Sequence, residues 1–250
     1  MTTNSEFRIT KYKLHQTING GLYIDADSET GTYNDESVKK LIEVMLAGRF
    51  GLKFGKDRKV VSSSGFEQFS REVDAIPRDP KYAGMFDNVR DNFQQQFIDS
   101  MNDGEDILPE QPVSVGRSWR FEPRESLTNV GKYRYEGKTK FTGTEKSDGG
   151  DTIALLAHNV TGKQSAAKVT QLDQCKSYTN DGHSDMTIKI RYNVDKSYSA
   201  ESKTDMRRTY TLRFRYDDPL IADATGSVTE TNSSWVRIEP VEKENPEPRP

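Results

Sequence analysis

Hydrophobic positions recur along this chain with two different periods. From Glu36 to Ala47, Val38, Leu41, Ile42, Met45 and Leu46 fall at i, i+3, i+4, i+7 and i+8. That spacing predicts an amphipathic helix, N-capped by Asn34 or Asp35 and stopped by Gly48. Phe66, Phe69, Val73 and Ile76 predict a second, shorter helix. Asp79-Pro80 then supplies an N-cap and a proline at the first helical position. The stripe Tyr82, Met85, Phe86, Val89, Phe93, Phe97 and Met101 extends that third helix to a stop at Gly104. An aromatic stripe at this spacing reads as core.

Elsewhere the period is two. Phe7 and Ile9 share one parity and Tyr12 and Leu14 the other, which predicts a strand with a bulge near Thr10–Lys11. Asn19-Gly20 is a hairpin signal before a return strand through Ile24. Phe50, Leu52 and Phe54 alternate, and a turn at Gly55-Lys56-Asp57 leads to Val60 and Val61. In the second half, Tyr133, Tyr135, Thr139 and Phe141 give a strand, and Ile153–Val160 another. Met186 to Val194 and Tyr210 to Tyr216 alternate strictly with polar residues, so each has one buried and one wet face. The polar run Asp195–Met206 reads as a long mobile loop, and Val228–Ile238 as a last strand. The tail VEKENPEPRP is charged and proline-rich and is expected to be disordered.

The two halves meet at LPEQPVSVGRSWRFE, Leu108–Glu122. Pro109 and Pro112 end the preceding helix. Val113, Val115, Trp119 and Phe121 share one parity, as in a strand with one buried face. This divides the chain into an α+β half over residues 1–107, a nearly all-β half over 108–240 and a tail over 241–250. The valines at the junction equally suit one continuous sheet. The fold class expected is α+β: a predominantly antiparallel sheet with two or three helices packed on one face.

Composition narrows the function classes. Of 250 residues, 32% are apolar and 30% charged, with net charge −3. This is a folded, highly soluble composition with no basic surplus, which argues against a nucleic-acid or anionic-membrane surface. No apolar run approaches the length of a membrane span. The single Cys175 excludes an internal disulfide and cysteine-built zinc sites. The start MTTNSEF has no signal-peptide pattern, which fits either a cytoplasmic protein or one whose leader has been replaced by a methionine.

Candidate chemistry is sparse. The three histidines, His15, His158 and His183, are far apart in sequence, and no HExxH, nucleophile-elbow or phosphate-loop motif occurs. His158 reads as a half-buried strand residue and His183 as an exposed turn residue. Cys175 stands beside Lys176 with no base supplied nearby. Asp25, Asp27, Glu29 and Glu36 occupy positions 1, 3, 5 and 12 of a calcium loop, but Gly31 falls one place late and a strand precedes. A solvated loop leading into a helix cap accounts for them equally. Ser62-Ser63-Ser64-Gly65 before a helix reads as a hairpin exit, and Asp217-Asp218 as a turn before Pro219. No catalytic, cofactor-binding or metal-binding residue is assigned, and the binding residues are left open.

The run Pro112-Val113-Ser114-Val115-Gly116-Arg117-Ser118-Trp119, together with Tyr23–Asp27, Gly51–Phe54 and Arg58–Val61, resembles an uncharacterised family of exported bacterial proteins, planctomycete-like and often bearing a signal or lipoprotein leader. Arg117 departs from the aspartate expected there, which loses a local side-chain-to-backbone bond. The resemblance implies an extracytoplasmic, non-enzymatic protein and carries no catalytic residues. Its partner would be a small apolar ligand, a glycan or another protein. Tyr133, Tyr135, Phe141, Tyr210 and Phe214 would line a groove if the sheet encloses one. The competing expectation is an enzyme whose site is assembled from scattered residues, with two or more of His15, His158, His183, Cys175 and the carboxylates in one cleft.

Overall fold

The computed structural model describes residues 3–56, 59–107, 109, 111–128, 130–171, 174–196 and 198–241. Strand β1 (Thr3–Ile18), β2 (Gly21–Asp27) and the short β3 (Thr32–Tyr33) come first. Helix α1 (Glu36–Ala47), strands β4 (Phe50–Phe54) and β5 (Val60–Ser64), helix α2 (Phe66–Asp74), a 3-10 turn at Pro80–Tyr82 and helix α3 (Ala83–Ile107) follow. The rest is strand: β6 (Ser118–Thr128), β7 (Gly131–Lys146), β8 (Thr152–Gln171), β9 (Cys175–Asn193), β10 (Tyr198–Tyr216) and β11 (Ala224–Pro240).

The described strands form one 11-stranded antiparallel sheet, in the order β3-β2-β1-β11-β10-β9-β8-β7-β6, with β4 and β5 added beside β1. The first and last long strands are therefore neighbours, paired from Phe7–Pro240 to Ile18–Glu230. The register slips between Ile9 and Lys11. That bulge brings Phe7, Ile9, Tyr12 and Leu14 to a single face despite their mixed parity. Asn19 and Gly20 both take positive φ, as the tight β1–β2 hairpin needs.

The helices lie on this inner face. Asp35 caps α1 by accepting from the amides of Ser37 and Val38, and its side-chain bond from Ser37 holds its carboxyl below the usual carboxylate range. Val38, Leu41, Ile42 and Met45 of α1 pack with Phe66, Phe69 and Val73 of α2 and Phe86, Phe97 and Met101 of α3 over Phe7, Ile9, Ile24, Phe50 and Ile238. Phe50 is fully buried at the centre, 4.8 Å from Phe66 and 5.2 Å from Phe97 between ring centroids.

The α+β expectation is overturned by how little of the sheet these helices cover. The main helix contacts are with β1, β2, β3, β5 and β10, not with β6 to β9. Strands of 16 to 20 residues make a sheet far larger than three helices can back. At about 3.3 Å per residue, β8 runs roughly 65 Å, whereas α1 at 1.5 Å per residue spans about 18 Å. The molecule is a large antiparallel sheet with a helical flank. Away from that flank the inner face is still buried. β7 and β9 approach across β8, where a flat sheet with strands about 4.8 Å apart holds them nearly 10 Å apart.

Several local expectations are corrected too. Asp195–Met206 is not a long loop, because β10 begins at Tyr198 and pairs with β9 from Asn193 onward. His183 lies within a continuous β9 rather than a turn. The chain passes Asp181 at φ 55° and resumes pairing as a strand. Helix α3 runs through position 104 to Ile107. Residues 112–117 are not strand, and Ser114 to Arg117 forms a turn. Gly116 takes φ 90° and donates to the Phe141 carbonyl, Arg117 donates to that of Ser114, and Val115 is exposed. Residues 57–58, 108 and 110 and the tail 242–250, on which parts of the turn, junction and disorder expectations fall, lie outside the described residues. No helix among the described residues is long and apolar enough to cross a membrane.

Candidate functional site

Each strand of the broad sheet shows alternate residues to its outer face, and register decides which of them meet. One lateral row runs Asn159 (β8), Thr187 (β9), Asp205 (β10), Ser233 (β11), His15 (β1) and Asp25 (β2). Two residues along, a second row runs Thr161, Asp185, Arg207, Thr231 and Thr17. Between them lies an open depression of about 540 Å³, lined from Asn159 across to His15. Val160, Met186, Met206 and Asn232 complete the lining, but alternation sends their side chains to the inner face, so they offer main chain.

The trough is ordered by cross-strand pairs. Ser233 Oγ donates to Asp205 at 2.7 Å, and Thr17 Oγ1 and Thr231 Oγ1 share a 2.6 Å bond. His15 Nδ1 stands 3.2 Å from Asp25, and His183 Nε2 3.2 Å from Asp185. Arg207 is exposed, and its side chain makes no hydrogen bond or ion pair among the described residues. Above the first row, Trp235 carries Lys203 at 4.8 Å and Lys11 at 5.3 Å from its ring centroid.

The inner face holds a second polar constellation, and it is closed. Register aligns Tyr135, Gly162, Ser184, Arg208 and Glu230. Arg208 and Glu230 are 6% and 3% exposed and 3.5 Å apart, and Tyr210 donates to Glu230 at 3.0 Å. The half-buried Tyr210 hydroxyl beside that carboxylate is pushed well above its ordinary value, with desolvation the larger cause. The Arg208 guanidinium lies 5.0 Å from the Tyr133 ring centroid. Tyr133 and Tyr135 lie over glycines: a Cβ at Gly182 would meet Tyr133 Oη at 2.0 Å, and one at Gly162 would meet the Tyr135 ring at 2.4 Å. Phe141 instead packs with Ala154, Leu156, Ile190 and Tyr192. The aromatics proposed to ring a groove are thus divided, with Tyr133 fully buried, and the trough on the opposite face includes none of them.

The other sequence candidates disperse. His158 is 2% exposed on the inner face, within 2.7 Å of the fully buried Thr139 hydroxyl, and burial pushes its imidazole down to about 4. His15 and His183 share the outer face but stand three strands apart and four residues out of line, roughly 20 Å. Cys175 is buried at the start of β9. The residues of the calcium pattern each have a separate partner: Asp25 faces His15, Asp27 Lys13, Glu29 Lys11 and Glu36 Lys39. Asp27 also accepts from the Glu29 and Thr30 amides as a turn residue, and its bond from Lys13 is the main cause of its lowered pKa. No group of three His, Cys, Asp or Glu able to hold a metal ion occurs among the described residues. Ser233 and His15 are cross-strand neighbours, but the serine hydroxyl is turned to Asp205, so no nucleophile-to-base bond is present.

The Arg208–Glu230 pair and the trough were not read from sequence. Thr187, Thr211 and Arg213 were legible as outward-facing, but which strands stand side by side is a property of topology.

A family model of unknown function, DUF6263, matches residues 2–207. The chain belongs to this family. Membership of an uncharacterised family, expected from the Pro112–Trp119 run, is thereby met. No curated protein and no solved structure matches the chain.

Proposed function

We propose that this DUF6263 protein is a non-catalytic binding module whose ligand lies in the trough on the outer face of the sheet. The observation that carries this reading is the depression itself. It has about 540 Å³, a ligand-sized volume, on a helix-free face and presents polar side chains held in register across five strands. The absence of catalytic work is supported by the dispersal of the histidines over two faces and by the turning of Ser233 away from His15. The same proposal sets the protein outside the cytoplasm, on the resemblance carried by Pro112–Trp119. Fractionation of the native host checks that placement.

The test is a thermal-shift screen of soluble metabolites and oligosaccharides against the wild type and Thr187→Trp, which fills the trough from an exposed strand position. A ligand that binds only the folded state raises Tm. The expected result is a compound that stabilises the wild type and not the variant. A panel without effect, or stabilisation that survives in Thr187→Trp, overturns the reading.

A further inference from the structure

We infer that the ligand of this trough is a neutral oligosaccharide lying across the strands. This rests on the binding reading above and names its ligand class. The lining alternates acceptors and donors at the spacing of neighbouring strands, about 4.8 Å, close to the advance of an extended saccharide per sugar. Asp205 and Asp185 accept, Arg207 and the Asn159 amide donate, and Thr187 and Ser233, whose hydroxyl protons go to Asn159 and Asp205, accept. A sugar hydroxyl is donor and acceptor at once, and a vicinal pair of hydroxyls matches a carboxylate or a guanidinium with two bonds.

Charge selects against ionic ligands. Asp185 already has His183 beside it, Asp205 uses one oxygen on Ser233, and Arg207 stands between them with its donors unengaged among the described residues. An anion on Arg207 would face Asp185 directly across on β9 and Asp205 two residues along β10, and a cation on those carboxylates would face Arg207. Trp235, the nearest large ring, is occupied by Lys11 and Lys203, so recognition rests on hydrogen bonds and the affinity is modest, on the order of 10⁻⁴ M.

The experiment is titration of isotope-labelled full-length protein with maltotetraose, cellotetraose, chitotetraose and mannotetraose, followed by amide NMR shifts. Expected is saturable movement of the Thr187, Asp205 and Arg207 amides by at least one of them. Arg207→Ala should weaken binding about tenfold through loss of charge-assisted bonds, and Thr187→Trp should abolish it. Unmoved amides elsewhere show that both variants are folded. If none of the four binds, or if binding ignores both variants, the saccharide assignment fails. If a charged compound from the thermal screen is then lost in Thr187→Trp, the trough is still a binding site for another class. If the screen is also empty, both readings fall.

Discussion

The two ends of the inner face are built from the same alternation and sealed in different ways. At the helical flank, Phe50, Phe66, Phe69, Phe93 and Phe97 interlock with centroids 4.6–6.0 Å apart, and three helices exclude water. At the far end, buried positions carry Arg208, Glu230, Thr179, Ser184 and Tyr133, and order comes from directional bonds. Gln164 there donates to the Val130 and Thr179 carbonyls and accepts from the Gly182 amide, tying β7, β8 and β9 where their register slips. A strand's period of two says which residues turn inward and leaves open whether helices or hydrogen bonds will meet them.

The largest effect should come from breaking the apolar end. Phe50→Ala removes the ring on which four others converge and should cost about 3–5 kcal/mol, read by urea denaturation. At the polar end, Arg208→Ala leaves Glu230 buried without its guanidinium and should cost about 3 kcal/mol, whereas the double change Arg208→Met with Glu230→Leu should recover most of it. Equal losses in the single and double variants would show that the cost does not come from a stranded Glu230 carboxylate.

His158 gives a smaller, pH-dependent effect. Its folded-state pKa, about 4, lies below the ordinary histidine value of about 6.5, so the unfolded chain binds more protons between these limits. Its contribution is full above about pH 6.5 and is lost as pH falls toward 4, at most about 3 kcal/mol. The lowered carboxyls of Asp27 and Asp35 add their own losses only at lower pH, through and below the usual carboxylate range. Comparing Tm at neutral pH and at about pH 5 for the wild type and His158→Leu isolates the term, and an unchanged slope in the variant removes it. Smallest of all, Thr187→Trp on the outer face should shift stability by no more than about 0.5 kcal/mol. A larger loss would mean that the trough is part of the framework.

Sequence legibility followed the same division. The helical flank was readable because its signals are local: α1 has the predicted bounds, Asp35 caps it, and the β1 bulge sits where the parity of Ile9 and Tyr12 changes. The sheet end was underestimated because its strands carry polar inward residues. Ser202, Thr204 and Arg208 disguised the first half of β10 as a loop, and Asp181-Gly182 disguised β9 as two pieces. Of the site, His15 was visible as a residue, but its neighbours Ser233 and Asp205 come from two other strands more than 180 positions away in sequence. Only the pairing of β1 with β11 brings them together.

That pairing also sets the order in which the molecule can assemble. Thr17 meets Thr231 across 214 positions, so β1 has no partner on that side until almost the whole chain is made. At about 5–20 residues per second, the wait lasts on the order of ten to forty seconds. During it, α1 to α3 can settle on β1, β2 and β4 and keep Phe7 and Ile9 from water, while the outward edge of β1 stays open. The meander from β6 to β11 then grows strand by strand until β11 docks into that edge, so the helical flank acts as a holding nucleus for a sheet completed last.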